Sequence, residues 1–480
     1  MGKTLNITTI IIMSITSICN KIDVNNKERG KLYMSYVFKK TPTINMPSID
    51  DNPVIEELLQ NYTYSAKWNV IRNLNNCITM GNYKKSNRGN SEYVINVTDD
   101  GVYVEGCNYS ATMRGFFTFL EKIKYSANED YFYIENCCIT EKPLMDFRCV
   151  HLCIFPETKI DFLKKCVRSC AIAKYSHIIL EFWGMLKFDC MKELSWPFAY
   201  SKEEIKNIVR EANALGVEIV PMFNHLGHAS ACREVNGKHV VLDQNPRYEY
   251  MFDSHGWIWN FKRDDVYELL SKVRDELIEV CGEGSYFHIG CDEAYSIGKD
   301  ENEALKMAEY INRITNDLKA KGRRTIMWHD MLLSREEFEG YVATSTPKVS
   351  DTLIQNIDKN LIIADWQYSC HGETWRTSQI FKKNGFDVVC CPWDKTQNIT
   401  EAIDTVVSNE LYGIIHTTWH TLFSGFREMI YAGVVSYGTD NENHNDIIRF
   451  YCASVARKAL PACGEYAKCG WSEEMTGPGL

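Results

Sequence analysis

No surplus of positive charge runs through this chain: 53 Lys and Arg stand against 63 Asp and Glu, a net charge of −10. A nucleic-acid binder that tracks phosphates carries a basic footprint, so nucleic acid is excluded as a partner class. No G-x-x-x-x-G-K-[ST] loop occurs, and no Gly-rich turn follows the first long apolar run, so nucleotide-phosphate binding has no support. Paired C-x-x-C spacings of the structural-zinc type are missing. So is a membrane-length apolar run. Ile7–Ile18 is diluted by Thr and Ser, has only Lys3 ahead of it, and is too short to span a bilayer. It is weak as a secretory leader, and no stable membrane association is expected.

What is present is ordinary globular usage, 45% hydrophobic and 24% charged, in 480 residues. That length suits one large barrel with a smaller companion and needs no disulfides for stability. The 19 cysteines are odd in number, so they cannot all pair internally. Cys149, Cys153, Cys291, Cys390 and Cys391 fall in or beside apolar runs, where a thiol acts as a small core residue. This usage points to a reducing, cytoplasmic compartment.

Residues 1–50 read as an extension and 51–143 as a small α+β unit. In the latter, Glu92–Val97 and Val102–Glu105 alternate around Asp100-Gly101, a hairpin signal. Met113, Phe116, Phe117, Leu120 and Ile123 then recur at helical spacing. Residues 144–480 change rhythm. Eight apolar runs appear: Cys149–Phe155, His177–Phe182, Val217–Phe223, Tyr286–Gly290, Arg324–Trp328, Leu361–Trp366, Asp387–Pro392 and Gly413–Trp419. Between and after them lie helical stretches: Lys159–Lys174, Lys202–Leu215, Asp264–Cys281, Asn302–Lys321, Gln379–Lys383, Ile399–Leu411 and Asp446–Leu460. The expected fold is α/β, a (β/α)8 TIM barrel preceded by a small α+β domain.

Such barrels carry their active site at the C-terminal strand ends. The runs end in Glu181-Phe-Trp183, Asn224-His225-Leu-Gly-His228, His288-Ile-Gly-Cys-Asp292-Glu293, Trp328-His329-Asp330, Asp365-Trp366-Gln-Tyr368, Trp393-Asp394 and Trp419-His420. A rim of Trp, Tyr and carboxylates suits a sugar, whose C–H faces stack on aromatic rings while acids grip its hydroxyls. Two adjacent acids can converge on one ligand only where the strand breaks into loop, because successive strand residues point to opposite faces.

His288-x-Gly-x-Asp292-Glu293 resembles the signature of glycoside hydrolase family 20, the β-N-acetylhexosaminidases, most nearly the branch of hexosaminidase D and its bacterial relatives. The resemblance implies an exo-enzyme that removes terminal β-linked GlcNAc or GalNAc from glycans, with no cofactor or metal. It also implies substrate-assisted retention, an exception to the two-carboxylate scheme. Glu293 would be the general acid and then the base, with a pKa raised by burial among tryptophans. Asp292 would orient the 2-acetamido group, and Tyr368 would donate to its carbonyl oxygen. Trp328, Trp366 and Trp419 would wall the acetamido pocket, with Asp330 among the substrate-binding residues. Arg148 would fork onto two sugar hydroxyls. His228, His288 and Glu181 would stand behind these groups, Glu181 holding His228.

Two departures concern the far hydroxyls: Asn224 or His225 stands where an acid is usual upstream of Gly227-His228, and Thr421 stands where a glutamate often follows the last Trp. The stretch Ala229–Phe261, with Trp257 and Trp259, reads as a lid or aglycone wall. Two alternatives remain. His225, His228, His288, His329, His416 and His420 near strand ends could serve a metal-dependent hydrolase, although strand one lacks an H-x-H. A sugar-binding barrel without catalysis would not need the intact Asp292-Glu293 pair.

Overall fold

A computed structural model describes residues 35–38, 43–45, 53–63, 69–71, 78–82, 91–126, 128, 130–230, 238–370, 374–419, 422–438 and 450–460. Eight parallel strands close into a barrel: β1 Phe147–Ile154, β2 His177–Phe182, β3 Glu218–Met222, β4 Tyr286–His288, β5 Arg324–Trp328, β6 Ile362–Trp366, β7 Asp387–Cys391 and β8 Gly413–Thr418. Closure comes from β1 pairing with β8, Phe147 opposite Gly413 and Leu152 opposite Thr418. Every residue of β1 is buried, because a parallel barrel strand has core on one face and helices on the other.

The outer helices are α1 Ile160–Ile172, α2 Lys202–Ala214, α3 Asp264–Cys281, α4 Glu301–Ala320, α5 Pro347–Asn356, α6 Arg376–Lys383, α7 Thr396–Ser408 and α8 Phe426–Tyr437. Helix α2 starts on a capping box in which Ser201 and Glu204 satisfy each other's backbone amides. Helices α5 and α8 were not expected. Helix α5 is short and polar, and its start signals are the Thr346 cap and Pro347. Helix α8 is buried on nearly every side, so its sequence shows no apolar stripe to read. A further helix, Cys452–Ala459, covers part of the last helical stretch expected from the sequence.

Ahead of the barrel, Tyr93–Thr98 and Gly101–Gly106 form the expected hairpin in a six-stranded sheet, and helix Tyr109–Lys122 packs on it. Strands Ser35–Val37 and Thr43–Asn45, inside the stretch read as an extension, also join sheets of this region. Arg168 of α1 ties the region to the barrel through a fork onto Glu57, at 2.7 and 2.8 Å. Among the described residues no helix is long and apolar enough to cross a membrane. Ile7–Ile18 lies outside them.

Candidate active site

The Asp292-Glu293 pair sits where β4 ends. Strand β4 stops at His288, and the chain then turns through three positive φ values, Gly290 (+64°), Cys291 (+71°) and Glu293 (+53°). This left-handed path makes neighbouring acids converge, which a straight strand forbids. Gly290 is required twice over, by its φ and because an added Cβ would lie 2.1 Å from Asn224 Oδ1. The turn is pinned from outside: Glu293 N donates to Asp330 Oδ2 (2.8 Å), and Trp257 Nε1 donates to Glu293 O (2.8 Å).

His228 stands between the two acids, its Nε2 3.3 Å from Asp292 Oδ2 and 3.0 Å from Glu293 Oε2. Burial disfavours its cation, but the Asp292 charge and the hydrogen bonds to both carboxylates win, raising its pKa to about 9. Asp292 is 4% exposed and accepts from Asn224 Nδ2 at 2.7 Å. Burial opposes its ionisation, yet Lys238 and His228 hold it below the ordinary carboxylate range. Glu293 departs from the expected raised pKa. Burial pushes it up, but the His228 hydrogen bond and charge and the Tyr295 hydroxyl (2.6 Å) bring it down. The proton shared by these three groups therefore resides on His228.

The aromatic side is built from β6 and β8. Trp366 stacks on Tyr368 with ring centres 5.5 Å apart, and Trp419 Nε1 donates to the Tyr368 hydroxyl. Trp393, from the end of β7, meets Tyr368 edge-on at 5.2 Å. Trp328 is wholly buried beneath, 4.2 Å from the His288 ring and 5.4 Å from Trp419. His288 accepts from Gly290 N (3.0 Å) through Nδ1, and burial drives its pKa to about 3, so it is neutral. Asp330, Trp366, Glu293, Tyr295, Arg335 and Tyr341 line a pocket of about 430 Å³.

Two expectations are corrected. Arg148 does not reach this site. It is the second residue of β1, six residues before the strand's C-terminal end, and six residues at about 3.3 Å make roughly 20 Å. Its guanidinium is fully buried at the opposite end of the barrel, donating to the carbonyls of Met145, Asp146 and Lys174. Glu181 does not hold His228. Its oxygens accept from Lys238 Nζ (2.6 Å), His151 Nε2 (3.1 Å) and Trp183 Nε1 (2.9 Å).

Lys238 was not legible, being one lysine in a polar stretch. It is nevertheless 2% exposed, with Nζ 3.9 Å from Asp292 Oδ2 and within 5.4 Å of the Trp183 and Trp419 ring centres. Of the lid and the aglycone wall expected of Ala229–Phe261, the described residues form a packed wall. Trp257 and Trp259 are buried, and Trp257 lies 4.3 Å from His228. Of the histidines weighed for a metal, His225 bonds the Phe223 carbonyl and Arg274, and His329 bonds Asp365. His416 is buried, and His420 and Thr421 lie outside the described residues. One set of ligand type does gather, His151, Cys153 and Glu181, with ligand atoms within 4.8 Å of one another. The cation already bound to Glu181 there is the Lys238 ammonium.

Residues 171–397 match the catalytic domain of glycosyl hydrolase family 20. Lacto-N-biosidase of Bifidobacterium bifidum is 21% identical over 54% of this chain and 24% of its own length; hexosaminidase D of Bos taurus is 22% identical over 54% of this chain and 80% of its own. This chain thus spans about a quarter of the first of these relatives. The chitobiase of Flavobacterium johnsoniae shares the fold, with a TM-score of 0.63 at 17% identity over 90% of this chain and 70% of that one. So does a Vibrio harveyi exo β-N-acetylglucosaminidase in complex with N-acetylglucosamine, with a TM-score of 0.64 at 15% identity over 91% and 75%. The acid pair on its left-handed turn, the aromatic rim and the matched stretch agree: residues 171–397 of this chain are similar to the catalytic domain of glycosyl hydrolase family 20.

Proposed function

We propose that this chain is an exo-β-N-acetylhexosaminidase, releasing terminal β-linked GlcNAc or GalNAc with retention. The observation that carries the reading is the Asp292–His228–Glu293 arrangement together with the stacked Trp366 and Tyr368 rings. One carboxylate is held ionised, and the other has a proton waiting 3.0 Å away.

A sugar covering the site removes water from Glu293, which favours its neutral form. The proton then passes from His228 Nε2 to Glu293 Oε2. Glu293 protonates the glycosidic oxygen while the substrate's own acetamido oxygen attacks C1, so the C1–O bond breaks with its electrons on the departing alcohol. Asp292 stabilises the positive oxazolinium, and the Tyr368 hydroxyl, free to donate while accepting from Trp419, holds the carbonyl oxygen. Glu293, now a carboxylate, takes a proton from water as it opens the ring.

The test is Glu293→Gln, which keeps shape and hydrogen-bond capacity but cannot cycle a proton. Turnover of an aryl 2-acetamido-2-deoxy-β-glucoside should fall on the order of 10²–10⁴-fold, while the sugar is still bound. Undiminished turnover would show that the reaction does not use Glu293.

A further inference from the structure

The ammonium of Lys238 lies behind the acid pair and takes no part in the proton transfers of Glu293. Its place is set twice. Its backbone N–H donates to the carbonyl of His228 at 2.8 Å, so the lysine is tied to the residue that bridges the two acids. Its neighbour His239 stacks on Phe223, just past β3, with ring centres 4.3 Å apart. The side chain is 1% exposed, and Nζ donates to Glu181 Oε1 at 2.6 Å. Nζ also stands 3.9 Å from Asp292 Oδ2, close enough for charge to act but outside hydrogen-bond range.

Glu181 is a firm anchor. Its Oε2 accepts from His151 Nε2 and Trp183 Nε1, and the Cys153 thiol lies 3.3 Å from the same oxygen. Burial opposes the ammonium of Lys238, but the charges of Asp292 and Glu181 outweigh it and raise its pKa. Five groups then alternate in sign: Glu181, Lys238, Asp292, His228 and Glu293, with each cation between two carboxylates. The spacing matters because Asp292 is buried and must face a developing cation. With no cation behind it, a buried carboxylate takes up a proton; with one in full contact, its charge is already spent. Glu181 holds Lys238 between these two limits.

We propose that Lys238 is a positioning residue for the reaction: clamped by Glu181, it sets the charge that Asp292 presents to the oxazolinium, without itself touching the sugar. The inference rests on the hexosaminidase reading above.

Lys238→Met, Glu181→Gln and the double variant, each in the full chain, separate this role from a structural one. Either single change leaves a buried charge without its partner, so both should lose stability. On the aryl N-acetylhexosaminides their kcat should fall on the order of 10–100-fold with KM nearly unchanged. In the double variant the pair is gone as a unit and stability should return in part. Its kcat should stay at the level of Lys238→Met, because Asp292 still lacks its cation. N-acetylglucosamine should bind all three as it binds the wild type. Recovery of kcat along with stability in the double variant, a wild-type kcat in Lys238→Met, or a loss of N-acetylglucosamine affinity that matches the loss of kcat/KM overturns the positioning role alone. A wild type silent on both the gluco and the galacto substrate overturns the functional reading and the inference with it. If the single variants do not fold, the kcat of the double variant decides.

Discussion

His228 links the two acids, and its charge carries a measurable consequence. Its pKa rises from about 6.5 unfolded to about 9 folded. The sign follows from which state binds the proton more tightly: the folded state does, so the stabilisation is full below about pH 6.5 and disappears as pH climbs through 9. A shift of that size corresponds to on the order of 3 kcal/mol. Thermal melts of the wild type should therefore lose ground between pH 6.5 and 9, and His228→Gln should remove most of that slope. Equal slopes in both proteins would show that His228 is uncharged in the fold. Arg148 teaches the opposite lesson at this scale. Its identity matched a motif, but only its register along β1 decides what it can touch, and that register spends the guanidinium on backbone carbonyls far from the sugar site.

The element that makes the site is the turn after β4. Adjacent Asp292 and Glu293 were readable as a pair, as was the need for the strand to break there. The left-handed sequence of φ values was not, because it depends on contacts from β3, β5 and the wall near Trp257. Gly290→Ala should then cost more than about 2 kcal/mol, combining a disfavoured φ with a collision against Asn224. It should also lower kcat more than it raises KM, since it moves the acids and leaves the aromatic platform in place. Chemical denaturation and steady-state kinetics check both; an unchanged midpoint and rate would mean that the turn tolerates a side chain. The barrel strands were legible because each is a nearly continuous apolar run. Helix α8 was not, because burial all round erases the stripe that marks a helix in sequence.

At the scale of the whole molecule, the closed barrel gathers groups from distant parts of the chain onto one rim: Glu181 from β2, Asn224 and His228 from beyond β3, Asp330 from β5, Trp366 and Tyr368 from β6, and Trp419 from β8. Sequence order gave these positions because strand ends recur with the barrel's period. It could not give Lys238, whose place at Glu181 and Asp292 is set by the fold of an irregular segment. On the proposed reading, the site offers one acid–base group, one fixed anion and an aromatic wall, and leaves the nucleophile to the substrate. The most direct test compares initial rates of the purified chain on two aryl β-glycosides, the 2-acetamido-2-deoxy-glucoside and the plain glucoside, identical except at C2. Release from the acetamido substrate alone is the predicted result. Equal rates on both would contradict the account, because the plain glucoside brings no nucleophile of its own.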